Sequence, residues 1–207
     1  IQEALNHIDL DKIQISGHEV SYLDPELSID LGAIAKGYTA QLAKEALNKA
    51  GLSNGYINAG GNVVLLGEKE DGTNWKIGIQ SPDASDALVQ YSTKKATCLV
   101  TSGDYQRYFT YKHKKYSHII DPKTGYPANY VHSVTVITKD SGKADALSTT
   151  LFCMSVEDGK KYLSTLYYDV QAIWIVDKDS DVSSDLETKD YKIITTDKIK
   201  NRVTLVD

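Results

Sequence analysis

Gly55-Tyr56-Ile57-Asn58-Ala59-Gly60-Gly61-Asn62-Val63-Val64-Leu65-Leu66-Gly67 carries the reading of the fold. A strand-like Gly55-Tyr56-Ile57 runs into paired glycines and then into an apolar run, the pattern of two strands joined by a tight turn. Glycine reaches positive φ without steric cost and lets a ligand come close to the backbone. Just upstream, Ala35, Tyr38, Leu42, Ala43, Ala46, Leu47 and Ala50 recur at helical spacing and Gly51 follows as a stop signal, which predicts an amphipathic helix over 35–50.

Working outward, short strands are predicted at 75–80, 96–101, 116–120 and 133–138, with turn chemistry between most of them. Helices follow at 144–154 and 156–168, and strands return at 170–176, 191–195 and 203–206. The polar stretch 177–189 is predicted as a mobile loop and 196–202 as a hairpin turn. Residue 1 opens into what reads as a helix tail. Strands in groups with helices inserted between them imply an α+β fold, a mixed and largely antiparallel sheet covered by helices, in one domain spanning 1–207.

Bulk properties narrow the functions. The 207 residues are enough to bury a substantial core without covalent staples. With 23 basic and 28 acidic residues the net charge is −5, and no Lys/Arg run tracks a phosphate backbone, so nucleic acid is excluded as an expected partner. No stretch reaches the roughly 18 consecutive apolar residues of a membrane span, and residues 1–10 lack the layout of a signal peptide. The abrupt start, without an initiator Met, raises the expectation that an N-terminal segment is missing. Cys98 and Cys153 are too few for a disulfide framework and lack zinc-site spacing.

Four segments are rich in chemistry-bearing residues. Ile29-Asp30-Leu31-Gly32-Ala33-Ile34-Ala35-Lys36-Gly37-Tyr38 leads a glycine turn into the long helix, where free N–H groups, the positive dipole end and Lys36 suit an anion. Taken alone, it reads first as an ordinary loop-to-helix entry with a surface lysine. Asn58-Ala59-Gly60-Gly61-Asn62 is either a ligand-approach loop or a plain hairpin turn. The third segment pairs Thr101-Ser102-Gly103-Asp104-Tyr105-Gln106-Arg107 with Ser117-His118-Ile119-Ile120-Asp121-Pro122-Lys123-Thr124-Gly125-Tyr126-Pro127. Here His118 is either a proton acceptor near pH 7 or a packed strand residue, and 121–125 reads as a turn ending its strand. In Lys143-Ala144-Asp145-Ala146-Leu147-Ser148-Thr149-Thr150-Leu151-Phe152, a helix would put Asp145, Ser148 and Thr149 at i, i+3 and i+4 on one face. Such hard oxygens suit Mg²⁺, whose octahedron needs only about one protein carboxylate because water and substrate phosphate complete it. The alternative is that Asp145 caps its helix.

Together and in this order, the four segments resemble the ApbE family of FAD:protein FMN transferases, over about 28–163. The resemblance implies that Ala33, through its carbonyl, and Asp145 and Thr149 hold Mg²⁺, with Ser148 as a further contact. It implies that Asp30, Lys36 and Ile119 touch FAD, the substrate, beside the glycine turn of Asn58, Gly60 and Gly61, and that His118 sits near the reacting phosphate. The activity implied is Mg²⁺-dependent transfer of FMN from FAD onto a Thr or Ser hydroxyl in the flavinylation motif of an acceptor protein, with release of AMP. Two alternatives share the pocket: an FAD pyrophosphatase that releases FMN and AMP, and a non-catalytic flavin-binding protein. A third treats every motif as architecture in an interaction module. The resemblance also implies an exported protein, periplasmic or at the cell surface, anchored to the membrane by a segment outside this chain.

Overall fold

The 8-residue strand Val170–Asp177 is buried at all but its last residue, and Ser133–Thr138 is buried throughout. Strands that are buried on both faces belong to a sheet covered on both sides. The computed structural model, which describes residues 1–206, shows what covers them.

In chain order the elements are α1 (Gln2–Leu5), β1 (Ile13–Ser16), β2 (Glu19–Tyr22), α2 (Ala35–Lys49), β3 (Tyr56–Ala59), β4 (Asn62–Leu65), β5 (Trp75–Gln80), β6 (Ala87–Thr93) and β7 (Cys98–Gly103). There follow β8 (Tyr108–Tyr111), β9 (Lys114–Ser117), β10 (Ser133–Thr138), α3 (Ser141–Phe152), α4 (Val156–Ser164), β11 (Val170–Asp177), β12 (Leu186–Glu187), β13 (Tyr191–Thr195) and β14 (Val203–Leu205). Leu10–Lys12 and Asp197–Arg202 are 3₁₀ turns.

A seven-stranded sheet in the order β12-β13-β11-β10-β7-β4-β3 forms the centre. The strand period of two splits its side chains between two cores. Val100, Val134, Val136, Ala172, Trp174 and Ile194 pack against Leu147, Leu151 and Phe152 of α3 and Val156 and Leu163 of α4. Their neighbours Leu99, Ile137, Ile173, Ile175 and Ile193 meet Ile77, Ile79, Val89, Tyr91 and Val203 of a three-stranded sheet ordered β14-β6-β5. The layers are therefore helices, large sheet and small sheet. All strand pairs among the described residues are antiparallel, in keeping with the expected α+β class. No helix among the described residues is long and apolar enough to cross a membrane.

Several boundaries differ from expectation. The strand expected at 116–120 is β9, which ends at Ser117 and pairs only with β8 in a separate two-stranded ribbon. His118 therefore lies just past a strand. The expected hairpin turn at 196–202 is a 3₁₀ turn, and the stretch 177–189 contains β12. The ribbon β1–β2 and strand β8 escape sequence reading although Ile13-Gln14-Ile15-Ser16 and Glu19-Val20-Ser21-Tyr22 alternate, because four-residue strands whose side chains are nearly all exposed carry too short a pattern to stand out. Strand β6 is not read from the sequence, although Val89-Gln90-Tyr91-Ser92 alternates as its burial does.

Candidate functional site

The site is built where α2 meets α3. Gly37 permits the approach: a Cβ there would lie 2.2 Å from the Ser141 carbonyl oxygen and 2.5 Å from Asp145 Cβ. With hydrogen in its place, the Gly37 backbone N–H donates to Asp145 Oδ2 at 2.7 Å. This N–H is one of the orphan donors in the first turn of a helix that has no side-chain N-cap. Asp145 fills the role from α3, at the positive end of the α2 dipole. If the helix extended upstream, the same N–H would bond the Ala33 carbonyl four residues back. Among the described residues no backbone hydrogen bond reaches that carbonyl, so its lone pairs remain available.

Helix α3 takes its own cap from elsewhere. Asp140 accepts from the Lys143 N–H at 2.9 Å, which removes the capping explanation for Asp145. Asp145, Ser148 and Thr149 do share one helical face. Ser148 is fully buried and donates to the Asp145 carbonyl at 2.9 Å. Its hydroxyl also lies 2.8 Å from Ser102 Oγ, and Ser102 Oγ lies 3.2 Å from Thr149 Oγ1. Strand β7 thus lays one hydroxyl between two from α3.

Asp145 is 4% exposed. Burial raises its pKa, opposed by the Gly37 N–H, the Lys36 ammonium and the Asn62 amide. Asn62, 0% exposed at the start of β4, sits close enough to act on the carboxylate, yet neither atom of its amide makes a hydrogen bond of good geometry. A buried carboxylate with one close hydrogen bond, the Ser148 and Thr149 hydroxyls on its helical face and a carbonyl without a backbone partner form a hard-oxygen donor set that fits Mg²⁺. A zinc-type arrangement does not arise: among the described residues no three His, Cys, Asp or Glu side chains gather to hold a metal.

The other expected site residues are distributed as follows. Asp30 is exposed and its Oδ1 accepts from the Gly32 N–H at 2.6 Å, shaping the loop before α2. Asn58 Oδ1 accepts from the Gly61 N–H at 3.1 Å, and Gly60 and Gly61 at φ 59° and 96° close the β3–β4 hairpin. A Cβ on either glycine would meet nothing within 4 Å, so the turn is open on its outer side. His118 is exposed, and its Nδ1 lies 3.0 Å from the Arg107 carbonyl oxygen. A carbonyl only accepts, so Nδ1 carries the proton and Nε2 is the acceptor of the neutral ring. No hydrogen bond joins His118 to α2 or α3 among the described residues. Ile119 packs into the helix-side core, its N–H donating to Ser117 Oγ and its carbonyl accepting from Ala128.

Three participants were not singled out in the sequence: Gly37, Asn62 and Ser102. All lie inside quoted motifs, but their meaning depends on contacts with α3, far away in the chain.

An α+β layered fold with an oxygen-lined junction between two helices defines a class of proteins suited to a divalent cation and an anionic ligand. The comparisons give that class its family: the family model described as "ApbE family" matches residues 1–174, and the chain belongs to the ApbE family. It is 42% identical over 153 residues to an FAD:protein FMN transferase of Klebsiella pneumoniae (strain 342), covering 73% of this chain and 46% of that protein. A Vibrio cholerae protein of the same name is 39% identical over 152 residues, 72% of this chain and 46% of that one. Among solved structures, an ApbE protein of Thermotoga maritima superposes with TM-score 0.73 at 36% identity, covering 84% of this chain and 57% of that one. The flavin transferase ApbE of Vibrio cholerae superposes with TM-score 0.75 at 31% identity, over 98% and 62%. The chain spans about half the length of the curated relatives it matches.

Proposed function

We propose that this protein transfers FMN from FAD onto a Thr or Ser hydroxyl of an acceptor protein, with AMP as the leaving group. The observation that carries the proposal is the α2–α3 junction, where the buried Asp145 carboxylate accepts from the Gly37 N–H, shares a helical face with Ser148 and Thr149, and feels the Lys36 ammonium. The names of the relatives agree with it.

Asp145, Thr149 and the Ala33 carbonyl would hold Mg²⁺, with Ser148 beside them. When bound, the ion supplies Lewis-acid neutralisation of charge on the pyrophosphate oxygens. Phosphoryl-type transfer leaves the protein chiefly positioning and charge stabilisation to perform. Lys36 offers a second positive charge to the pyrophosphate, and Asp30 and the open turn of Asn58, Gly60 and Gly61 line the approach of the flavin nucleotide. The acceptor hydroxyl oxygen bonds to the FMN-side phosphorus while the bond from that phosphorus to the AMP oxygen breaks. The hydroxyl proton passes to His118 Nε2, the ring nitrogen that the Arg107 carbonyl leaves unprotonated.

The test is mass spectrometry of a candidate acceptor protein after incubation with this chain, FAD and Mg²⁺, with and without EDTA. A mass gain of one FMN that EDTA abolishes is the expected result. Free FMN and AMP with unmodified acceptor would assign an FAD pyrophosphatase instead, and FAD bound without any AMP would assign a flavin-binding protein.

A further inference from the structure

A buried amide with neither atom satisfied is costly, because each unpaired polar group forfeits its hydration without replacement. Asn62 is in that position: 0% exposed, both amide atoms without a hydrogen bond, and beside the Asp145 carboxylate. The hairpin with Gly60 and Gly61 at its turn delivers it there at the first residue of β4. Ser102 presents the complementary case one strand away. Its hydroxyl lies 2.8 Å from Ser148 Oγ and 3.2 Å from Thr149 Oγ1, so it sets the rotamers of two hydroxyls at once.

Building on the proposed Mg²⁺ site, we propose that Asn62 and Ser102 are positioning residues for it. Asn62 would donate from its amide nitrogen to the Asp145 carboxylate and hold that carboxylate in the orientation a cation needs. Because Ser148 donates its proton to the Asp145 carbonyl, Ser102 donates to Ser148 and accepts from Thr149, which leaves the lone pairs of the Thr149 hydroxyl free to face outward. Both act through another residue and neither needs to touch FAD. Ligand side chains in metal sites are held by such outer partners, and losing one costs about 10–100-fold in metal affinity or activity. The two strands β4 and β7 are neighbours in the sheet, so a single rigid element supports both contacts.

The experiment measures Mg²⁺ binding by calorimetry on the FAD-loaded chain, and the Mg²⁺ concentration giving half-maximal FMN transfer, for wild type, Asn62→Ala, Ser102→Ala and Ser102→Thr. Expected is about a tenfold or greater weakening of Mg²⁺ in both alanine variants, recovery in Ser102→Thr, and near-wild-type transfer at saturating Mg²⁺. Thermal unfolding run alongside separates a folding defect, which lowers Tm without moving the Mg²⁺ dependence. Should Asn62→Ala fail to fold, Ser102→Ala against Ser102→Thr still decides the Ser102 half and Asn62→Ser replaces the first variant. Alanine variants that bind Mg²⁺ like wild type overturn the positioning roles while leaving the proposed function standing. Failure of wild type itself to bind Mg²⁺ overturns both.

Discussion

The Gly37 backbone N–H and the Asp145 carboxylate, 108 residues apart in the chain, meet at 2.7 Å and fasten the first turn of α2 to the second turn of α3. One hydrogen bond caps a helix, orients a carboxylate and leaves the Ala33 carbonyl unbonded. Everything proposed for the site depends on that meeting.

Gly37→Ala is the sharpest test of it. The added methyl would strike the Ser141 carbonyl oxygen and Asp145 Cβ, backbone and near-backbone atoms that have no rotamer to yield. We expect a loss of about 1–3 kcal/mol in denaturant unfolding, as overpacking typically costs, together with loss of FMN transfer. Wild-type stability and transfer in this variant would mean that the helices are not closely apposed.

Asp145→Asn keeps the shape and removes the charge. Because burial disfavours the ionised carboxyl in the absence of a cation, metal-free Asp145→Asn should unfold at the same denaturant concentration as wild type or a higher one. Mg²⁺ with FAD should raise the Tm of wild type, as any ligand of the native state does, and leave the variant unmoved. A variant that still gains Tm from Mg²⁺ would remove Asp145 from the metal site.

For His118→Ala, FAD binding should be retained while the transfer rate at saturating FAD falls about 100-fold or more, the usual worth of a positioned general base. His118→Ala enzyme with weakened FAD binding but normal turnover when saturated would place the histidine in recognition instead.

A second histidine should govern pH stability. His132 Nδ1 lies 2.9 Å from Asp104 and Nε2 2.9 Å from Asp177, so both ring nitrogens donate. Burial pulls its pKa down, but the two carboxylates outweigh it and hold it up to about 9, from an ordinary 6.5. A folded pKa above the unfolded one means the stabilisation is complete below about pH 6.5 and is lost as pH rises through about 9. Urea unfolding of wild type should therefore weaken by about 1–3 kcal/mol across that window, and His132→Gln should flatten the slope. An unchanged slope in His132→Gln would show that the clamp between β7, β10 and β11 is not what titrates.

The elements readable from sequence were those whose own residues encode burial. Helix α2, the paired glycines of the β3–β4 hairpin, and β5, β10 and β13 fall where periodicity and turn residues put them. The ribbon β1–β2 and strand β8 did not, because four-residue exposed strands give a pattern too short to separate from loop. Within the motifs the same divide applies. The spacing of Asp145, Ser148 and Thr149 predicts a shared helical face, and that face exists. Whether Asp145 capped its own helix or served another was undecidable from spacing, since Asp suits both; Asp140 as the cap of α3 resolves it.

By itself, then, the sequence determined the order of the long helices and buried strands, the α+β class, the membership signalled by four motifs and the residue types available for chemistry, because these rest on local periodicity, turn conformation and composition. Only the tertiary structure decided that Gly37 is the contact point of two helices, that Asn62 is buried beside Asp145, and that Ser102 lies between Ser148 and Thr149. Those relationships join segments separated by some forty to a hundred residues; they arise from packing α3 against α2 and the sheet, and no local pattern in the chain encodes a partner that far away.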